Sequence, residues 1–386
     1  MCCWVALQYA LTAAEQPIAH PTSLLSQPEP MNPQPTNTAA WLVANRAHLE
    51  VNTASYTAPQ ANELVIKNYA VAINPLDWIM QGAGSFLFSW MKLPFVLGSD
   101  LAGEVVEVGA GVTRFQVGDR VLAHAVGADK KRNSPAESAF QQYTVVLAHM
   151  AAPIPDSLAY ESATVLPLAL STAACGLFQK DQLALNYPSA AATPTGKTIL
   201  VWGGTTSVGS NAIQLAVAAG YEVIATASPR NFAYVQQLGA SQVFDYNSPT
   251  VVQDVIKAFQ GKTSAGALAI GGTSALACAD IVHGCKGSKF VSMTTFPVDF
   301  QRLTQGPGRV GLQFLRQLPR LISFSVSLFL KSRLRGIRTN SIFGTTLMDN
   351  EVSRVIYTDF LPQALAEGRY VAAPAPHVIG QGLASI

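Results

Sequence analysis

Charge is scarce in this chain of 386 residues: Asp, Glu, Lys and Arg together make up 12%, and they nearly cancel, to a net charge of +2. With 49% hydrophobic residues, such a composition buries a large core and excludes an intrinsically disordered chain. The length allows two domains. No block of Lys and Arg interleaved with aromatics occurs, which argues against a nucleic-acid partner. Cysteine is sparse as well. Cys2, Cys3, Cys175, Cys278 and Cys285 match neither a disulfide framework nor a zinc ribbon, and the cytoplasm is the expected compartment. His20, His48, His124, His149, His283 and His377 share no ligand spacing and read as surface or core histidines.

Long apolar runs are lacking too, and no integral membrane segment is expected. No stretch reaches the roughly 20 apolar residues of a membrane span. The nearest, residues 321–330, is bracketed by Arg316, Arg320, Lys331, Arg333 and Arg335. Three readings stay open for it: contact with a membrane surface, packing on its own domain, or packing against a second subunit. Residues 1–35 hold no Lys or Arg, which disfavours a secretory or transit peptide. Rich in Pro, Gln, Ser and Thr, residues 1–37 are expected to be a disordered extension, with Met31 close before the folded pattern.

The most informative stretch is residues 198–216. It reads as a buried strand over 198–202, a glycine turn at Gly203 and Gly204, and a helix opening near Ser207. A strand, a glycine turn and a helix N-terminus let backbone approach a dinucleotide pyrophosphate and offer it free N–H groups. Gly203, Gly204, Thr205, Thr206, Ser207, Val208 and Gly209 are therefore the candidate phosphate cradle, although Thr206 replaces the second glycine of Gly-x-Gly-x-x-Gly. Residues 221–226 supply the next strand and close a βαβ unit. At its end an NAD site usually carries a carboxylate for the ribose hydroxyl; here Ser228, Pro229, Arg230 and Asn231 follow instead. A hydroxyl and a guanidinium suit a 2′-phosphate, so NADPH is the expected cofactor. The alternative is that Ser228 and Pro229 merely cap the next helix and Arg230 is solvated.

Around this unit the chain divides in two. Residues 38–195 are β-rich, with strand patterns and Gly-containing turns suited to a partly open barrel. Residues 196–340 alternate strand and helix as a doubly wound parallel sheet does, and residues 341–386 read as a return to the first domain. Within that return, Pro362 is expected to interrupt a helical stretch over 351–367.

The order of domains, with Asn74-Pro-Leu-Asp77, Gly98-Ser-Asp-Leu-Ala-Gly103, Val117-Gly-Asp119 and the cofactor turn, resembles the medium-chain dehydrogenase/reductase superfamily. Within it the chain is most similar to fungal zinc-binding-dehydrogenase-domain proteins and trans-acting enoyl reductases. The resemblance implies an α/β chain: a Rossmann sheet plus a GroES-like partial barrel. It also implies that Asn74 stands where zinc-dependent members have Cys, and Ser99-Asp100 where they have His-Glu. An amide and a hydroxyl replace thiolate and imidazole poorly, so no metal is expected. The same resemblance puts Asn74, Asp77 and Thr172 near the nicotinamide, Ser228, Arg230 and Asn231 at the adenosine phosphate, and Tyr246 beside the adenine. Thr172 also fits a plain helix-interior threonine, and Tyr246 a strand-end aromatic. The family usually closes with a further helix and strand, so a truncated return is expected.

The function implied is zinc-independent, NADPH-dependent reduction of an activated double bond, quinone or carbonyl of a small molecule. No general acid stands out, which leaves solvent as the proton source. Two alternatives stay open: a trans-acting enoyl reductase of a polyketide pathway, which would dock a carrier-protein domain, and a non-catalytic NADPH-binding protein. A monomer or homodimer is expected.

Overall fold

The computed structural model describes residues 5–8 and 35–386, apart from 273, 296 and 306–308. The first lobe opens with β1 (Val5–Gln8), β2 (Asn37–Leu42), β3 (Glu50–Ala54), β4 (Glu63–Ile73), α1 (Pro75–Leu87) and β5 (Phe95–Val96). It continues through β6 (Asp100–Val108), β7 (Arg120–His124), β8 (Tyr143–Leu147), β9 (Ala151–Pro153), α2 (Tyr160–Ala163) and α3 (Pro167–Phe178). The second lobe alternates β10 (Lys197–Trp202), α4 (Ser207–Ala218), β11 (Glu222–Ala227), α5 (Phe232–Gln237), β12 (Gln242–Asp245), α6 (Val251–Ala258) and β13 (Thr263–Ala269). It closes with α7 (Ser274–Gly284), β14 (Phe290–Met293), α8 (Phe300–Gln305), α9 (Val310–Arg335) and β15 (Arg338–Ser341). The return is α10 (Glu351–Arg354), α11 (Leu361–Ala366) and β16 (His377–Gln381).

In the first lobe β16-β1-β4-β6-β7-β9, with β8 also on β4, form a 7-stranded sheet, and β3-β2-β5 form a smaller one. Side chains from both meet in one apolar core that includes Leu42, Ile66, Phe95, Leu101, Val121 and Phe140. The second lobe is a parallel sheet in the order β12-β11-β10-β13-β14-β15. Its central strand β10 is apolar throughout its middle, with Ile199, Leu200 and Val201 fully buried, as a strand covered by helices on both faces requires. The chain leaves β10 toward β11 on one side and later returns to β13 on the other, so a crevice opens at the carboxyl ends of β10 and β13.

Helix α3 is apolar on almost every side and lies between the lobes, packed against α4 and the turn Gly344–Asp349. A helix without a polar face must be covered all round, and both lobes share the work.

Two sequence-based expectations change. Val5–Gln8 fall within the expected disordered extension, yet they pair parallel with β16 and antiparallel with β4. The extended residues complete the sheet between those strands; the rest of that expectation, residues 1–4 and 9–34, lies outside the described residues. Nor does Pro362 break the helical stretch in the return. Between α10 and α11 the residues Val355–Phe360 form a π-helical turn, and the helix continues through the proline. A widened turn absorbs the missing N–H and the ring clash of proline.

The return segment is tied to the second lobe by Tyr370, whose buried hydroxyl donates to Oδ1 of Asn211 at 2.5 Å. Asn211 in turn donates from Nδ2 to the Ser207 carbonyl at 2.8 Å. Replacing Tyr370 by Phe leaves a buried amide oxygen without a donor, and a loss of about 1–3 kcal/mol is expected. Urea unfolding monitored by tryptophan fluorescence reads it directly.

Candidate functional site

The glycine turn sits at the carboxyl end of β10, as the sequence reading expects. Gly203 has φ +90, a conformation that disfavours side chains. A Cβ on Gly209 would stand 2.2 Å from the Gly203 carbonyl oxygen, so the helix start packs against the turn only because position 209 is glycine. The N-cap of α4 is Thr206, whose Oγ1 accepts from Gly209 N at 3.0 Å and donates to the Gly203 carbonyl at 2.9 Å. The threonine that spoils the glycine pattern is thus the residue that shapes the turn. Thr226 at the end of β11 completes it: its Oγ1 accepts from Gly203 N at 3.0 Å and its carbonyl from Gly204 N at 2.8 Å. Thr226 escaped the sequence reading because a β-branched residue in a strand carries no separate signal.

Among the described residues, the N–H groups of Thr205, Ser207 and Val208 find no protein acceptor. The buried Ser207 hydroxyl has no partner either. Free donors and an orphaned hydroxyl at one helix N-terminus fit an anionic diphosphate.

The residues expected to meet the adenosine phosphate lie just after the carboxyl end of β11. Ser228 is half-buried and its Oγ is 3.5 Å from the Tyr246 hydroxyl. Arg230 and Asn231 lie in the following turn, Pro229–Asn231. Arg230 is exposed and makes no hydrogen bond or ion pair among the described residues. Ser228 and Tyr246 are therefore brought together with a free guanidinium nearby in sequence.

The second half of the site grows from the start of α1. Asn74 is its N-cap, Pro75 occupies the first helical position, and Asp77 reaches back to accept from Asn74 N at 2.7 Å. Asp77 also accepts from Gly98 N at 3.2 Å. Asn74 Nδ2 donates to Asp100 Oδ2 at 3.0 Å, and the other Asp100 oxygen accepts from Leu168 N, in the first turn of α3, at 2.6 Å. Asp77 and Asp100 are both buried, and burial raises both: Asp77 to about 7, Asp100 well above the usual carboxylate range. Asn74 Oδ1 is buried and has no partner among the described residues.

Beside this cluster lies one the sequence reading missed. His124, directly opposite Asp100 across β6 and β7, places Nδ1 2.9 Å from Ser171 Oγ, which lies 2.8 Å from the Tyr357 hydroxyl. Tyr357 donates to the Pro167 carbonyl at 3.0 Å. Each hydroxyl has one proton, so Ser171 donates to Tyr357 and His124 carries its proton on Nδ1. Burial pushes the His124 pKa down to about 3, which keeps the ring neutral, and its Nε2 has no partner among the described residues. Residues 171 and 357 are 186 positions apart, and nothing in the sequence links them.

The halves touch. Ala72 and Ala169 are buried together, with Leu168 and Val208 of the phosphate turn packed against them. Thr172 lies one turn beyond Leu168, donates to the Leu168 carbonyl at 2.8 Å and faces Gly344. Its proton is engaged within the helix, leaving only its oxygen as an acceptor. No three His, Cys, Asp or Glu side chains are grouped to hold a metal among the described residues.

A glycine turn at the switch point of a parallel sheet, joined to a partial barrel carrying a buried polar cluster, defines a two-domain dinucleotide-binding protein. Residues 60–156 match the alcohol dehydrogenase GroES-like domain and residues 207–280 the zinc-binding dehydrogenase family. The chain is 54% identical over 354 residues to dehydrogenase pigH of Monascus ruber, covering 91% of this chain and 94% of that one. It is 36% identical to trans-enoyl reductase himH of Aspergillus japonicus, over 91% of this chain and 92% of that one. In fold it is similar to an alcohol dehydrogenase superfamily protein of Novosphingobium aromaticivorans (TM-score 0.65, 23% identity, 87% of this chain and 88% of that one). The chain belongs to the medium-chain dehydrogenase/reductase superfamily of oxidoreductases, whose members bind nicotinamide dinucleotides.

The buried Asp77 carries a stability signature. In the folded chain its pKa is raised from 3.8 to about 7, so the native state holds a proton that the unfolded state releases. Stability from this group therefore falls as pH rises across that window. Urea midpoints measured between those two pH values should drop faster for the wild type than for Asp77→Asn. A constant gap between the two curves would show that the carboxyl titrates normally.

Proposed function

We propose that this chain is a zinc-independent, NADPH-dependent reductase of an activated carbon–carbon double bond, quinone or carbonyl of a small molecule. The observation that carries the reading is the end of β11, where no carboxylate waits for a ribose hydroxyl and a half-buried Ser228, a free Arg230 and Tyr246 stand instead. In this reading Gly203–Gly209 hold the pyrophosphate on free N–H groups. Ser228, Arg230 and Asn231 bind the 2′-phosphate through charge-assisted hydrogen bonds, and Tyr246 flanks the adenine. NADPH supplies the hydride.

At the other end, Asn74, Asp77 and Thr172 position the nicotinamide and substrate. The unpartnered Asn74 Oδ1 is an acceptor ready for an N–H group, and the Thr172 oxygen is a second. Both Asp100 oxygens are already engaged by Asn74 and Leu168 N, and position 74 has no thiolate, which supports hydride transfer without a metal. Hydride transfer without a metal favours substrates whose double bond is activated by a conjugated carbonyl. The likeness to a protein named trans-enoyl reductase favours the enoyl version, acting on a chain borne by a carrier-protein domain.

Arg230→Ala is expected to narrow the preference for NADPH over NADH by about 1–3 kcal/mol, as loss of a charged hydrogen bond should. Fluorescence titration with both nucleotides measures it, and unchanged selectivity would return Arg230 to the solvent. Turnover on a panel of enones, quinones and free or carrier-bound enoyl thioesters defines the substrate. Tight NADPH binding with no turnover on any of them would instead establish a non-catalytic binding protein.

A further inference from the structure

Helix α9 is by far the longest crossover of the second lobe, 26 residues against 12 in α4 and 11 in α7. One face is fixed to the protein: Gln313, Phe324 and Leu328 are buried, Lys331 and Arg335 pair with Asp280 of α7, and Phe314 meets Phe86 of α1 with ring centres 5.5 Å apart. The opposite face should be polar if it met only water. It is apolar instead. Leu312, Leu315, Ile322, Val326, Phe329 and Leu330 recur at helical spacing and are each between 49% and 60% exposed. At the usual rise per residue this stripe runs about 27 Å.

Its charge is of one sign. No Asp or Glu occurs between positions 309 and 335. Arg309, Arg316, Arg320 and Arg333 make no ion pair among the described residues. We propose that this face docks on an anionic lipid surface, with α9 lying in the plane of the interface. The cations suit phosphate and carboxylate headgroups, and the Leu, Ile, Val and Phe side chains insert among the upper acyl segments. A second copy of the chain is a poor occupant, because paired α9 helices would bring arginines together with no carboxylate to answer them. A fluid bilayer also accepts an exposed helix face without requiring a matching shape. The helix does not span: its charged residues and its buried face hold it flat.

The inference is independent of the proposed reductase activity. Co-sedimentation of the full chain with vesicles of phosphatidylcholine, alone or mixed with phosphatidylserine, tests it. Binding is expected only to the mixed vesicles and should weaken as salt rises. Ile322→Glu with Phe329→Glu, and separately Arg316→Ser with Arg320→Ser, should each lower partitioning by about tenfold or more while leaving the thermal melt unchanged. The arginine pair keeps the test valid if the glutamates disturb the helix. No binding by the wild type, or equal binding by both variants, would overturn the proposal. So would concentration-dependent self-association, abolished by Phe329→Glu, in a chain that ignores vesicles.

Discussion

The arrangement of the candidate site depends on one carboxyl group. Asp100, at the start of β6, accepts from the Leu168 N–H at the head of α3 and from the Asn74 amide at the head of α1. Three elements far apart in sequence are fastened at one buried point. A helix N-terminus leaves N–H groups without intrahelical partners, and a carboxyl oxygen is a strong acceptor for one of them. Burying that carboxyl is costly, and the cost appears as its raised pKa. The two hydrogen bonds offset part of it, and removing either leaves a buried acceptor unanswered. Because α3 also packs on α4, the same point sets where the barrel stands relative to the phosphate turn.

The chain from His124 through Ser171 and Tyr357 to the Pro167 carbonyl reinforces this junction alongside Asp100, its cross-strand neighbour. Its direction is forced by proton counting, and it stays neutral because burial disfavours imidazolium. The hydroxyl of Tyr357 comes from the π-helical turn of the return segment, so the widened turn ahead of Pro362 contributes a group to the interior between the lobes. Together with Tyr370 on Asn211, it ties the last part of the chain to both α3 and α4.

Helix α9 stands apart from this economy of buried polar groups. Its inner face follows the usual rule, with buried apolar residues and cations paired to Asp280, whereas its outer face presents apolar side chains to the surroundings. The apolar run of residues 321–330 and the cations that bracket it were legible in the sequence, but such a run cannot say which side of the helix is covered. Only the packing against α7, α8 and α1 decides that.

Much of the fold was written locally. The strand, glycine turn and helix at 197–218 follow from short-range rules of backbone conformation and capping, so the sequence alone determined them, whereas Asn-Pro-x-Asp was read only as a family motif and its role as the start of α1 came from the structure. Thr206 marks the boundary of that legibility: it looked like a defect in a glycine motif, and its side chain proves to be the cap that holds the turn. The pairing of Asp100 with α1 and α3, the His124 chain, and the Thr226 brace on Gly203 were decided only by tertiary structure. Each joins residues whose separation in sequence bears no relation to their distance in space, and a hydrogen bond a few ångströms long leaves no trace in local pattern.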